Sequence, residues 1–173
     1  MYVEIVAVQA SDREVTALYE AHALGLIRLA YVMLGDRPAA EDVVQEAFLG
    51  LYRRWGKLRD TASAPGYLRS SVLNGCRMVL RSSARRDDRT ARIDREPPWE
   101  SAEATALVGE QNRQLLRCIQ ALPPRQREAL VLRYYLDLSE AETARSMGVR
   151  RGTVKSATSR ALAALGQRMQ ECS

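Results

Sequence analysis

Apolar residues recur at three- and four-residue steps over most of the chain, and the places where that rhythm breaks divide it into elements. From Arg13 to Leu34 the positions Val15, Leu18, Tyr19, His22, Leu26, Leu29, Ala30 and Met33 keep the period and predict a helix. Residues 1–12 read as a frayed tail or a short strand from Tyr2 to Val8. Gly35-Asp36-Arg37-Pro38 is a turn, with Asp36 placed to cap the next helix and Pro38 tolerated in its first turn. That second helix, Ala39 to Trp55, has a broad apolar face of Val43, Val44, Ala47, Phe48, Leu51, Tyr52 and Trp55. A loop from Lys57 to Pro65 leads to a third helix, Gly66 to Arg86, with Leu68, Val72, Cys76, Val79 and Leu80 inward. The period then stops. The stretch DDRTARIDREPPWESAEAT is charged, holds Pro97-Pro98 and reads as an extended linker, residues 89–106, with an unexplained Trp99.

Helical spacing returns from Ala106 to Ala121, with Leu115, Leu116, Ile119 and Leu122 apolar. Pro123-Pro124 breaks it, and Pro124 opens a helix from Arg125 to Leu136. Two further helices follow around a tight turn. Ser139 and Glu142 have capping-box spacing, Ala141, Ala144 and Met147 line a small apolar side, and Gly148 ends the first helix. The second starts near Arg151 and turns Val154, Ala157, Thr158, Ala161 and Leu165 to one side, with Val149 available to fill the gap. The prediction is an all-α protein of two small helical domains: a tail at 1–12, a first domain at 13–88, a flexible linker at 89–106 and a second domain at 107–173.

The polar faces carry the candidate chemistry. Opposite the apolar side of the last helix stand Gly152, Lys155, Ser156, Ser159 and Arg160, with Thr153 at the edge. Between Glu142 and Glu171 there is no acid, whereas Arg145, Arg150, Arg151, Lys155, Arg160 and Arg168 are all present. A solvated face normally mixes signs. This one does not, and a helix-turn-helix with a cationic, hydrogen-bonding front is built to contact DNA. On the second helix, Asp42, Gln45, Glu46, Leu49 and Arg53 form an acidic and amide strip around a bare leucine. It reads either as a solvated face with one stray apolar residue or as a docking face anchored by Leu49. The third helix shows Ser70, Asn74, Arg77 and Arg81, with Tyr67 at its start beside a loop. An aromatic and a row of arginines suit single-stranded nucleic acid, and the competing reading is a core tyrosine with solvated arginines.

Composition narrows the rest. The chain has 173 residues, 46% of them hydrophobic, with one Phe and two Trp, so its cores are Leu, Val and Ala. A net charge of +5 favours a polyanionic partner. Cys76, Cys118 and Cys172 are scattered and there is one histidine, His22, which argues against a zinc site and suits a reducing cytosol. Cys76 and Cys118 read as small buried apolar residues. No nucleophile–base pair or phosphate-binding glycine loop occurs, so no catalytic role and no cofactor is expected. The N-terminal apolar run is too short and lacks the basic start of a signal peptide, and no segment reads as long enough to span a membrane.

The motifs in this order resemble those of the bacterial extracytoplasmic-function (ECF) sigma factors, from about Val15 to Met169. AAEDVVQEAFLGLYRRW is similar to the family's region 2.2, with Asp42, Gln45, Glu46 and Phe48 meeting its D-x-x-Q-[ED]-x-F pattern. APGYLRSSVLNGCRMVLRSSARR is similar to regions 2.3 and 2.4, and ALPPRQREALVLRYYLDLSEAETARSMGVRRGTVKSATSRALAAL to region 4. The resemblance implies a sigma subunit that binds core RNA polymerase, with Asp42, Gln45, Glu46, Leu49 and Arg53 on the β′ coiled coil and the second domain on the β flap. It implies −35 contacts from Arg150, Arg151, Thr153, Lys155, Ser156, Ser159 and Arg160. Tyr67, Ser70, Asn74, Arg77 and Arg81 would capture a melted −10 element. It implies a linker that runs toward the polymerase active-site channel. Many members of the family also have an anti-sigma partner. Two positions depart from the family: Ala157 stands where Arg is frequent, and Tyr67 where Trp is frequent. The rival reading is a stand-alone helix-turn-helix regulator with an N-terminal interaction domain.

Overall fold

The computed structural model describes residues 2–58, 60–86 and 110–171, and side chains within 12–83 and 112–170. The chain divides into two compact units, residues 1–95 and 96–173. The expected linker at 89–106, with Trp99, falls outside the described residues, as does Cys172.

The first unit is three helices, α1 (Tyr2–Leu34), α2 (Arg37–Arg54) and α3 (Ala64–Arg86), each packed on the other two. Residues 2–12 are neither tail nor strand: α1 runs through them without a break. Nothing stops it, because no proline occurs in α1 and its first glycine is Gly25, and extending a formed helix adds one hydrogen bond per residue ordered. Its segment Asp12–Leu34 is, contrary to expectation, long and apolar enough to cross a membrane. Here that apolar surface lines the bundle: Ala23, Leu26, Leu29, Ala30, Met33 and Leu34 are buried.

Asp36 caps α2, accepting the Ala39 N–H at 3.0 Å. Val44, Ala47, Phe48, Leu51 and Trp55 are buried, as the pattern requires. Tyr52 is not part of that core: it is 44% exposed. Its hydroxyl donates to the Asp12 carboxylate, whose hydrogen bond and charge push the phenol's pKa up. Trp55 ties the far end of α2 to α1 through its indole N–H, 2.9 Å from Glu14 Oε2. The loop after α2 is mostly short 3-10 turns, Trp55–Lys57 and Thr61–Ser63. α3 therefore begins two residues earlier than its apolar stripe suggested, and buries Leu68, Val72, Leu73 and Cys76.

α2 and α3 approach closely at Gly75. A Cβ there would lie 2.7 Å from Val43 Cγ1, and a valine is stiff at χ1. Gly75→Ala gains about 1 kcal/mol of helix propensity but overpacks a contact at a cost of about 1–3 kcal/mol. The expected result is a net loss of stability, reversed when Val43→Ala is added, and a denaturant-melting double-mutant cycle reads it directly.

The second unit holds α4 (Glu110–Gln120), α5 (Pro124–Leu130) with a π turn at Val131–Tyr135, α6 (Glu140–Met147) and α7 (Arg151–Glu171). The helix expected from Arg125 to Leu136 thus changes winding midway, and Tyr134 and Tyr135 end up exposed. Leu122, Leu130 and Ala161 form a buried cluster, flanked by Ile119, Ala164 and Leu165. Arg127 is buried inside this unit, and its Nη2 donates to the carbonyls of Gln120 at 2.5 Å and Leu122 at 3.1 Å.

Candidate functional site

The turn between α6 and α7 is fully specified by local chemistry. Ser139 Oγ accepts the Glu142 N–H at 3.2 Å while Glu142 Oε2 accepts the Ser139 N–H at 2.9 Å. The Ser139 hydroxyl and backbone bonds hold the Glu142 carboxyl below the usual carboxylate range. Gly148 adopts φ +64°, and the pair Gly148 N–H to Arg145 O (3.2 Å) and Val149 N–H to Ala144 O (3.0 Å) closes a Schellman motif. The Arg150 carbonyl then accepts the first amides of α7, from Thr153 at 3.0 Å and Val154 at 3.3 Å. Three residues, Gly148, Val149 and Arg150, thus join α6 to α7.

α7 buries Val154, Thr158 and Ala161, and the Thr158 hydroxyl satisfies itself on Val154 O at 2.8 Å. Arg150, Arg151, Thr153, Lys155, Ser156, Ser159 and Arg160 are all exposed. The structure thus leaves on the surface every residue the sequence assigned to DNA on this helix. No ion pair involves them among the described residues. An unneutralised cationic helix face with hydroxyls between the charges can hold phosphates and reach base edges.

Behind it, Thr143 of α6 is fully buried and its Oγ1 has no hydrogen-bond partner among the described residues. A buried hydroxyl left unbonded costs about 1–3 kcal/mol. Thr143→Val keeps the shape and removes that group, so it is expected to raise the urea midpoint by about 1 kcal/mol of stability with an unchanged slope. A lower midpoint would mean the hydroxyl has a partner after all.

On α2, Asp42, Gln45, Glu46, Leu49 and Arg53 are all exposed, Leu49 by 48%. Arg53 Nη1 lies 3.4 Å from Glu46 Oε1, a loose pair with both side chains about two-thirds exposed. Such a pair holds little energy and leaves both groups available. Leu49 leaves about half its surface in solvent, on the same helix side as the exposed Asp42, Gln45, Glu46 and Arg53, so this side has an apolar centre with a polar rim.

On α3, Ser70, Asn74 and Arg81 are exposed, while Tyr67 and Arg77 are half-buried. Arg77 Nη1 donates to Asn74 Oδ1 at 2.6 Å, which orients the amide. Tyr67 is drawn toward α2: its Oη lies 3.4 Å from where a Cβ on Gly50 would stand. Tyr67 is thus partly covered and partly open. The sequence reading missed Met78, which is 65% exposed on this face. Its signal was its position, four residues after Asn74.

These faces stand on a chain with clear relatives. The Sigma-70 region 2 family model matches residues 18–86, and the Sigma-70, region 4 model matches residues 112–165. An RNA polymerase sigma-E factor of Streptomyces coelicolor is 31% identical over 83% of this chain and 79% of its own. The ECF RNA polymerase sigma factor SigM of Mycobacterium tuberculosis is 35% identical over 87% of this chain and 74% of its own. In fold, the chain is similar to the sigma factor RpoE of Bartonella quintana, solved with the anti-sigma factor NepR. There the TM-score is 0.66 at 20% identity, over 84% of this chain and 90% of that one. It is also similar to CnrH, solved with the cytosolic domain of CnrY. There the TM-score is 0.63 at 21% identity, over 98% of this chain and 97% of that one. With both sigma-70 regions matched in order and relatives aligned over most of their length, the chain belongs to the ECF RNA polymerase sigma factors of the sigma-70 family, the factors of transcription initiation.

Proposed function

We propose that this chain binds core RNA polymerase in the cytoplasm, directs it to promoters through −35 and −10 elements, and promotes melting of the DNA. The observation that carries the reading is the acid-free, exposed cationic face of α7, in a chain that also exposes a separate acidic strip on α2. In this reading Asp42, Gln45, Glu46, Leu49 and Arg53 engage the β′ coiled coil, and the second domain sits on the β flap. α7 enters the major groove at the −35 element through Arg150, Arg151, Thr153, Lys155, Ser156, Ser159 and Arg160. On α3, Asn74 reads an unpaired base of the −10 element, Ser70 and Tyr67 flank it, and Arg77 and Arg81 hold the backbone. Removing a base from its stack costs a few kcal/mol, which these contacts offset. The chain supplies binding and positioning, and the polymerase supplies the chemistry. An anti-sigma partner fits the same faces, since any protein that covers α2 or α7 withholds them.

The experiment is run-off transcription with core polymerase on a library of upstream DNA. Specific initiation from a subset of sequences supports a sigma subunit and identifies its promoters. Binding of duplex DNA without polymerase, together with no initiation, replaces this reading with that of a stand-alone regulator.

A further inference from the structure

α3 has a composition suited to one kind of occupant. It carries Arg69, Arg77, Arg81, Arg85 and Arg86 and no acid, a balance that favours an anionic partner. At 100° per residue, Tyr67, Asn74 and Met78 fall in one row along that side, with Ser70 and Arg81 next to it. The row contains two apolar groups. Tyr67 is half-buried and packs toward Gly50. Met78 is the most exposed of the large hydrophobic residues described, at 65%. It is one helical turn beyond Asn74, whose amide Arg77 already orients.

An apolar, polarisable side chain between a fixed amide and an arginine does not help duplex phosphates, which want donors. It suits the flat face of a base that has lost its stacking neighbour. Methionine is among the residues that proteins insert against unstacked bases, and its thioether packs favourably on aromatic rings.

We propose that Met78 is the platform for an unpaired base of the melted promoter strand, next to the base that Asn74 reads. The inference rests on the proposed −10 role of α3 and adds a residue to it. Asn74 supplies hydrogen bonds and therefore sequence preference. Met78 supplies contact area and therefore holds the strand open with little preference among bases. Because its side chain is mostly in solvent, Met78 contributes little to the fold, which separates a binding role from a structural one.

The test uses holoenzyme assembled from core polymerase and the full chain, on a promoter recovered from the run-off selection. Each protein is measured on the duplex and on a probe with a pre-formed bubble over the −10 element. Met78→Ala is expected to weaken binding to the bubble probe by about five- to tenfold and to shorten the life of the open complex. Core affinity and the melting temperature of the free protein should not change. Met78→Leu, which keeps the apolar area, should retain most of the affinity. Equal bubble affinity for Met78→Ala and wild type overturns the proposal. So does a loss of core affinity instead, which would put polymerase rather than DNA over Met78. If wild-type holoenzyme forms no open complex at all, the sigma reading fails at the earlier step, and the inference falls with it.

Discussion

Placing arginine at both Asp42 and Leu49 is expected to abolish specific initiation while leaving the fold intact. Both side chains are exposed, and Leu49 is 48% so, so the double variant should melt within about 0.5 kcal/mol of wild type. Core binding is another matter. The strip offers one apolar centre with carboxylates and an amide at its rim. In the proposed docking role, replacing the centre removes the apolar anchor, and anchors of this kind are worth about 2 kcal/mol or more. Reversing the charge at Asp42 sets like charges against each other across the contact, which adds to the loss. Together these predict a fall in core affinity of about a hundredfold or more. Competition between wild type and variant for limiting core polymerase measures it. Single Asp42→Arg should fall between the two, mainly through a slower association that depends on salt. A double variant that competes as well as wild type would remove α2 from the polymerase interface.

How much of this was legible beforehand differs from face to face, for a physical reason. A helical face is a local property, fixed by residues three and four apart. Hence Lys155, Ser156, Ser159 and Arg160 could be placed outward from their spacing alone, as could Asp42, Glu46 and Leu49. Caps are equally local, and Asp36, Ser139 and Gly148 act in the structure as their sequence context says. What spacing cannot give is how far a neighbouring element reaches. Tyr52 lies on the apolar side of α2 by angle, yet it ends beside Asp12 of α1 and in solvent. The Trp55–Glu14 bond joins residues 41 apart in the chain. Gly75 looks like a weak point in a helix until Val43 is seen against it. The helix over residues 2–12 was missed for a related reason: its continuity comes from attachment to a packed segment rather than from its own period. Met78 is apolar yet 65% exposed, so an apolar period along α3 does not single it out.

Arg127 is the residue whose loss should cost the second unit most. Its spacing from Leu122 and Pro123 does not tell what it does. An arginine between Gln126 and Glu128 reads as a surface group until the end of α4 is in view. A helix leaves its last carbonyls without partners, and here the chain turns at Pro123, which has no N–H to offer one. Arg127 reaches back from α5 and donates to the last carbonyl of α4, Gln120 O, and to Leu122 O in the turn that follows, while 2% exposed. Its positive charge at a helix C-terminus is favourable in the same geometry. Arg127→Ala strips the donors from both carbonyls and leaves a cavity where the stem was. Hydrogen bonds to a charged donor contribute about 1.5–3 kcal/mol each, so a loss of about 3–4 kcal/mol is expected after partial relaxation. That is a large share of the stability of a small domain. Lysine can make one of the bonds but cannot fork to both, so Arg127→Lys should lose roughly half as much. Hydrogen exchange on the full chain separates the two units. Amides in Glu110–Gln120 and Arg151–Glu171 should lose about two orders of magnitude of protection, while those in Arg37–Arg54 keep theirs. Promoter binding by holoenzyme should fall with that protection, and both should recover together in the lysine variant. If protection is unchanged in Arg127→Ala, the carbonyls of α4 are satisfied by something other than this side chain, and the arginine belongs to an interface instead.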